Sequence, residues 1–216
     1  KNIEAMNVDM IVVRHKSAAV PKILARHLTS SVINAGDGCR AHPTQALLDM
    51  FTIQEKLGRI EGVKVAIIGD ILHSRVARSN IFGLTKLGAR VTLCGPSTLI
   101  PPGIERTGVS VTHDVDEVIR THDVLMFLRL QRERQEENFF PSIGEYIRVF
   151  GVDATRLKQA KKDVIIMHPG PVNRGVEISA EVADGKNSVI LDQVTNGVAV
   201  RMAVLYLLGT MKKDNS

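Results

Sequence analysis

The chain has 216 residues, of which 44% are hydrophobic and 24% charged, a composition typical of a folded globular protein. It shows no run of about 18 apolar residues and no basic-then-apolar leader, so we expect neither membrane insertion nor secretion. The formal charge is +5, but aromatic residues make up only 4% and Trp is absent, which argues against nucleic-acid binding and favours an anionic small substrate. Cys39 and Cys94 stand far apart without metal-type spacing, so we expect a reducing, cytoplasmic setting.

Apolar, β-branched runs alternate with stretches of helical period along the chain. The strand-like runs are 10–13, 32–33, 63–68, 91–94, 124–127 and 164–167, and the helical stretches include 18–27, 43–57, 75–87 and 153–161. Continuous apolar strands separated by helices are typical of parallel sheet that is buried on both faces. The pattern predicts an α/β fold, a doubly wound parallel sheet with flanking helices.

Polar or cationic side chains follow five of these strands directly. They are Arg14, the turn at 34–45, Arg75 at the end of GDILHSR, Arg129 with Gln131 in LRLQRER, and the segment HPGPVNRG. Taken alone, Arg14 and Arg129 fit solvated or ion-paired surface residues better than ligand-binding ones. Because ligands bind outside the carboxyl ends of parallel strands, however, the set predicts one crevice at that edge of the sheet.

His42 and Gln45 lie at the start of the helix predicted over 43–57. His42 could be a simple helix-cap residue, but the unpaired amides and the positive dipole end disfavour a protonated imidazole there. A neutral histidine can donate a hydrogen bond to a carbonyl, and Gln45 offers both a donor and an acceptor to a planar amide-like group.

Two further segments limit the chemistry. VKVAIIGDILHSR lacks the second and third glycines of a dinucleotide-binding turn, which disfavours a nicotinamide or flavin site, whereas Arg75 could hold a carboxylate in a two-pronged pair. HPGP is either a rigid connection or a segment that aims carbonyls at a ligand, and Gly170–Pro171 is a candidate cis peptide. The charged stretch QRERQEEN is expected to be a solvated loop or a lid.

HPTQ after a GDG turn, LRLQRER after a buried strand and HPGPVNRGVEI after another resemble, in this order, the aspartate carbamoyltransferases. The resemblance covers nearly the whole chain. HPTQ alone is shared with ornithine carbamoyltransferases, but those enzymes typically carry His-Cys-Leu-Pro where this chain has Pro169 and Gly170. The resemblance therefore implies aspartate as the acceptor and a place in pyrimidine biosynthesis.

The resemblance also implies a role for each site residue. Arg14 and His42 would contact the carbonyl oxygen of carbamoyl phosphate. Gln45 and the carbonyls of the segment Pro169, Gly170 and Pro171 would hold the carbamoyl NH2. Arg75 and Arg129 would bind the two carboxylates of aspartate, with help from Gln131. No metal and no cofactor is implied, because the chemistry is positioning and stabilisation of an oxyanion.

The resemblance divides the chain into three parts: 1–45 from the carbamoyl-phosphate domain, 46–193 as the aspartate domain and 194–216 as a helix returning to the first domain. The family's Ser-Thr-Arg-Thr phosphate loop, and a serine and lysine lent by a neighbouring subunit, find no counterpart. We therefore expect an incomplete N-terminal domain and an isolated chain that is nearly inactive. The resemblance implies a homotrimer with shared active sites and leaves open a regulatory chain or a dihydroorotase partner. The alternatives are a non-catalytic structural or assembly paralogue and a nucleotide-binding oxidoreductase.

Overall fold

The computed structural model describes residues 2–130 and 142–211. The strands are β1 (Met10–His15), β2 (Ser31–Asp37), β3 (Lys64–Ile68), β4 (Arg90–Cys94), β5 (Ser110–Thr112), β6 (Val124–Phe127) and β7 (Ile165–Met167). The helices are α1 (Val20–His27), α2 (Pro43–Leu57), α3 (Arg75–Lys86), α4 (Val115–Thr121), α5 (Ile143–Phe150), α6 (Ala154–Leu157), α7 (Ala180–Ala183) and α8 (Ile190–Met211). Short 3-10 turns occupy Glu4–Met6, Ser97–Leu99 and Ile104–Thr107.

The main sheet has five parallel strands in the order β5-β4-β3-β6-β7. Val65 at its centre lies opposite Val91 of β4 and Val124 of β6. Because the chain winds outward in both directions from β3, the predicted doubly wound α/β fold is confirmed. β1 and β2 form a separate two-stranded parallel sheet. The candidate site residues therefore follow strands of both sheets.

Alternate residues of β3 enter different cores. Val65 and Ile67 pack into a cluster with Ile53 of α2 and Leu84 of α3. Ala66 and Ile68 face the opposite cluster, which contains residues of α4 and α5. A strand buried on both faces has no polar side to show, which is why its sequence reads as an unbroken apolar run.

Several predicted boundaries are confirmed and others differ. The helix α2 and the strand β6 have the predicted bounds, and the helix predicted over 75–87 ends one residue earlier. The helix predicted over 153–161 is only Ala154–Leu157, because the chain then tightens into a turn in which Ala160 N donates to Leu157 O at 2.9 Å. The C-terminal helix, predicted within 194–216, begins four residues earlier, at Ile190.

The helix α8 packs against α2 and β7. It nevertheless exposes large apolar side chains, including Leu191 at 79% and Tyr206 at 71%, an arrangement that is typical of a surface covered by a partner. Within the described ranges, no helix combines the length and the apolar character that a membrane crossing requires.

Candidate active site

His42 lies immediately before α2, and Pro43 occupies the first turn, where the missing proline N–H costs no hydrogen bond. The His42 backbone N–H donates to Ser79 Oγ at 2.8 Å, which ties the start of α2 to α3. Its side-chain Nδ1 is buried, and in the part of the chain that the structure describes no partner reaches it. A buried ring nitrogen without a protein partner is available to a ligand.

Burial, and then the charges of Arg75, Arg14 and Arg201, lower the pKa of His42 from 6.5 to about 4. The imidazole is therefore neutral at pH 7, as the sequence predicted, although burial and three cations rather than the helix end are the main causes. The same shift shows that these three arginines lie close enough to act on one imidazole. Arg14 itself, at the end of β1, is exposed.

Arg75 begins α3 and its side chain is 8% exposed. The preceding Ser74 caps the helix, accepting a hydrogen bond from Ala77 N at 3.1 Å. The Arg75 guanidinium lies in the turn after β2: Nη1 is 3.5 Å from Gly38 O, and a β-carbon on Gly36 would fall 2.7 Å from Arg75 Cζ. The glycine-rich turn thus provides the space that the guanidinium occupies.

The buried side chain of Asp37 holds this turn in place by hydrogen bonding. Its carboxylate is 1% exposed, and Oδ1 accepts from Ala41 N at 2.9 Å. The next residue, Gly38, donates its N–H to His15 O at 2.9 Å. These bonds hold the turn after β2 against the end of β1, where Arg14 lies.

Arg129 and His168 follow the neighbouring strands β6 and β7. Burial and the Arg129 charge lower the pKa of His168 to about 4. Its Nδ1 accepts a hydrogen bond from Gly170 N at 2.9 Å, so the proton of the neutral ring is on Nε2. The Gly170–Pro171 peptide is cis, as predicted.

Glu177 joins the segments that follow β6 and β7. Its buried side chain accepts from Leu130 N at 2.8 Å, from Asn173 N at 3.0 Å and from Asn173 Nδ2 at 2.7 Å. Burial raises the pKa of this carboxyl. Three donors from two segments fix the backbone that immediately follows Arg129.

A buried chain of hydrogen bonds connects the two groups of candidate residues. Gln45 Nε2 donates to Asp49 Oδ1 at 2.9 Å, and Gln193 Nε2 donates to the same oxygen at 2.8 Å. Gln193 Oε1 in turn accepts from His168 N at 2.9 Å. The start of α2 is thereby linked through α8 to the segment after β7.

The predicted site residues have different exposures. Gln45 and Arg75 are buried, whereas Pro169 is half-buried and Gly170 and Pro171 are exposed. Gln131 and the stretch QRERQEEN lie outside the described residues. Over residues 2–130 and 142–211, no three His, Cys, Asp or Glu side chains group in a way that could hold a metal ion.

Sequence reasoning missed five residues that the structure places in or behind the site: Asp37, Asp49, Glu177, Gln193 and Arg201. For Asp49 and Glu177 there was a signal, since each is a lone carboxylate within an apolar stretch, ALLDMFTI and GVEI. Carboxylates are rarely buried unless they are partnered. Arg201 is likewise the one cation of the described helix α8.

Two family models match the chain. The aspartate/ornithine carbamoyltransferase carbamoyl-P binding domain matches residues 1–55, and the Asp/Orn binding domain of the same family matches residues 61–208. Aspartate carbamoyltransferase catalytic subunits are among its relatives: that of Desulfosudis oleivorans is 62% identical over 99% of this chain and 69% of the relative, and that of Ruminiclostridium cellulolyticum is 63% identical over 96% and 66%. The chain thus spans about two thirds of these relatives.

Solved structures agree with this assignment. Aspartate transcarbamoylase from Trypanosoma cruzi in complex with N-(phosphonacetyl)-L-aspartic acid superposes with a TM-score of 0.82 at 31% identity, covering 95% of this chain and 67% of that one. Ornithine carbamoyltransferase from Pyrococcus furiosus gives a TM-score of 0.80 at 33% identity, with coverages of 94% and 67%. By sequence and by fold, the chain belongs to the aspartate/ornithine carbamoyltransferase family.

Proposed function

We propose that the protein transfers the carbamoyl group of carbamoyl phosphate to the amine of L-aspartate, giving N-carbamoyl-L-aspartate and phosphate, a step of pyrimidine biosynthesis. The observation that carries the proposal is the neutral His42 imidazole. Its buried Nδ1 has no partner within the described chain, and its pKa is lowered by burial and then by the charges of Arg75, Arg14 and Arg201. A neutral hydrogen-bond donor among cations suits a reaction in which an oxyanion develops beside two anionic substrates.

The reaction begins when the unprotonated aspartate amine attacks the carbamoyl carbon. Negative charge grows on the carbonyl oxygen, where Arg14 and His42 would donate hydrogen bonds. The bond from carbon to the phosphate oxygen then breaks, the attacking nitrogen loses one proton to the departing phosphate, and hydrogen phosphate leaves. Removing one such donor typically raises the barrier by about 2.7–4 kcal/mol.

The carbamoyl NH2 needs acceptors, since both of its hydrogens are donors. Gln45 Oε1 and the carbonyls of Pro169 and Gly170 would supply them. Gln45 Nε2 is already bonded to Asp49, which leaves the oxygen of this amide for a ligand. Holding the planar group in this way would fix the carbonyl carbon for attack.

Two guanidinium groups would bind the acceptor. Arg75 and Arg129 each match a carboxylate in a two-pronged pair, and Gln131 would assist. Aspartate has two carboxylates, whereas ornithine has one carboxylate and a side-chain amine. Two cations therefore favour aspartate over ornithine.

The assay that tests the proposal measures carbamoyl-aspartate formation by the native protein that carries this chain, with ornithine as the competing acceptor. Arg129→Ala should raise the KM for aspartate at least tenfold, because one carboxylate loses its partner. Faster turnover with ornithine would reassign the substrate. No transfer to either acceptor, in a folded protein, would favour the non-catalytic paralogue.

The assembly proposed with this function is a homotrimer that shares its active sites between subunits. Family membership supports it. Native mass spectrometry of the purified protein should give three copies, and mixing two inactive variants with lesions on opposite sides of the shared site should restore activity. A monomer with full activity would refute the shared site.

A further inference from the structure

Asp49 is a fully buried carboxylate close to the candidate site. It lies one turn after Gln45 on α2 and is 0% exposed. Three side-chain NH2 groups surround it: Gln45 and Gln193 donate to Oδ1, at 2.9 and 2.8 Å, and Asn80 donates to Oδ2 at 2.8 Å. Among the described residues, no Lys, Arg or His nitrogen pairs with it within 4.0 Å.

An ionised carboxylate only accepts hydrogen bonds. Each amide around Asp49 must therefore turn its NH2 group inward and its oxygen away. For Gln45, whose two amide ends are otherwise interchangeable, this leaves Oε1 as the atom offered to a ligand. For Gln193, it leaves Oε1 to accept from His168 N at 2.9 Å.

Both amide orientations affect the binding of the same substrate group, the carbamoyl NH2. Gln45 and the segment that begins at His168 are the two sources of acceptors for the carbamoyl NH2 in the proposed function, on which this inference rests. We infer that Asp49 is a positioning residue: by accepting from Gln45 and Gln193, it makes the pocket an acceptor for the carbamoyl NH2.

A purely structural role explains this arrangement less well. A buried carboxylate without a paired cation is costly, and a neutral or apolar side chain of similar volume usually packs as well or better. In agreement, burial raises the pKa of Asp49 to about 6, although the three amide donors and the Arg201 charge oppose the shift. Unlike those replacements, the carboxylate makes three neighbouring amides point their NH2 groups towards it.

Asp49→Ala in the native protein tests the inference. Water in the vacated polar space can both donate and accept, so Gln45 is no longer forced to present its oxygen. We expect kcat/KM for carbamoyl phosphate to fall roughly 10- to 100-fold. Asp49→Asn keeps one oxygen, which can accept from Gln45 and Gln193 while Asn80 reverses its amide. This conservative variant should recover activity to within about threefold of the parent.

The bisubstrate analogue N-(phosphonacetyl)-L-aspartate separates positioning from general damage. It has a methylene group and no carbamoyl NH2, so it lacks the group for which Asp49 fixes the acceptors. Its Kd should change by less than about threefold in Asp49→Ala, whereas the KM for carbamoyl phosphate rises. Equal weakening of the analogue and of carbamoyl phosphate would overturn the inference.

A double-mutant cycle tests the connection through Gln45. In a Gln45→Ala background, Asp49→Ala should cost less in kcat/KM than it does in the parent, because one of the two amides through which it acts is gone. Fully additive losses would contradict the inference.

Thr52→Val is the matched control for damage to packing. Thr52 is buried in the same α2–α8 contact, where its Oγ1 accepts from Asn196 Nδ2 at 3.1 Å. It should lower Tm without changing the KM for carbamoyl phosphate.

Asp49→Ser, whose hydroxyl also donates and accepts, replaces the Ala variant if that variant does not fold. Failure of both to fold would show that the carboxylate is a folding determinant and would overturn the positioning role. An inactive parent protein would instead refute the proposed function, so the two failures are distinguishable.

Discussion

Gly36 and Arg75 occupy one space: a β-carbon added to Gly36 would lie 2.7 Å from Arg75 Cζ and 2.8 Å from Nη1. Gly36 is the last residue but one of β2 and has a φ of 123°. Residues with a side chain rarely adopt this backbone conformation. The glycine at this position is thus required twice, for its backbone conformation and for the guanidinium beside it.

Gly36→Ala is expected to displace Arg75 and to raise the KM for aspartate at least tenfold, because the carboxylate loses its aligned partner. Gly62→Ala is the matched control. Gly62 also has a positive φ, of 73°, but nothing lies within 4 Å of a β-carbon there, so it should lose about 1–3 kcal/mol of stability from strain alone. Steady-state kinetics and thermal melts on both variants distinguish the two effects. An unchanged KM in Gly36→Ala would remove Arg75 from aspartate binding.

The fold was largely predictable because its strands are buried on both faces. Val65, Ala66, Ile67 and Ile68 are all apolar, and such runs between helices admit few arrangements other than a parallel sheet. The one-turn helix α6 was overestimated because Asp153 supplies a good N-cap, with Oδ1 accepting from Arg156 N at 2.7 Å. A capping signal marks where a helix starts and not how long it continues.

The candidate site was predictable only in its cations at the strand ends. Arg14 lies at the end of β1, and Arg75 and Arg129 lie in the segments that follow β3 and β6, which is where ligands bind in a parallel sheet. Asp49 and Gln193 are 144 residues apart in sequence. Their hydrogen bond depends on the tertiary fold, so no local sequence pattern predicts it. The sequence marks each as a polar residue in an apolar helix and leaves its partner undetermined.

The neutral state of His42 predicts how the protein responds to acid. Its pKa in the folded chain is about 4 against 6.5 when unperturbed, so the unfolded chain binds more protons between these values. The stability contributed by neutral His42 is therefore complete above pH 6.5 and is lost as the pH falls towards 4. His42→Gln should show a shallower acid loss of stability in melts between pH 4 and 7. An equal slope in both proteins would contradict the lowered pKa.

Removing a neighbouring charge tests one cause of the same shift. Arg201 is among the cations that lower the pKa of His42, after burial, Arg75 and Arg14. Arg201→Gln should raise the pKa of His42 as measured by NMR titration, because protonation then meets less repulsion. Arg90→Gln, an exposed change on β4 that is not among these causes, is the control and should leave the titration unchanged.

The stability contributed by Asp49 changes with pH in the opposite direction to that contributed by His42. Its pKa rises from 3.8 to about 6 on burial, so the folded chain holds a proton that the unfolded chain releases between these values. Stability relative to Asp49→Asn should therefore fall as the pH rises from about 4 to about 6, by about 3 kcal/mol, and then level off. Denaturant unfolding of both proteins at pH 4, 5, 6 and 7 measures the difference. A difference that does not vary with pH would place the native pKa near its ordinary value.

Glu177 should matter for aspartate binding although it lies behind the site. Glu177→Ala leaves Leu130 N and both Asn173 donors without their acceptor, which is expected to cost about 1–3 kcal/mol of stability for each buried group that finds no water. Because Leu130 directly follows Arg129, the KM for aspartate should rise more than the KM for carbamoyl phosphate. Glu181→Ala, an exposed glutamate four residues further on, is the control for charge and should change neither constant. Equal effects of the two substitutions on the KM for aspartate would mean that the backbone after β6 does not depend on the buried carboxylate.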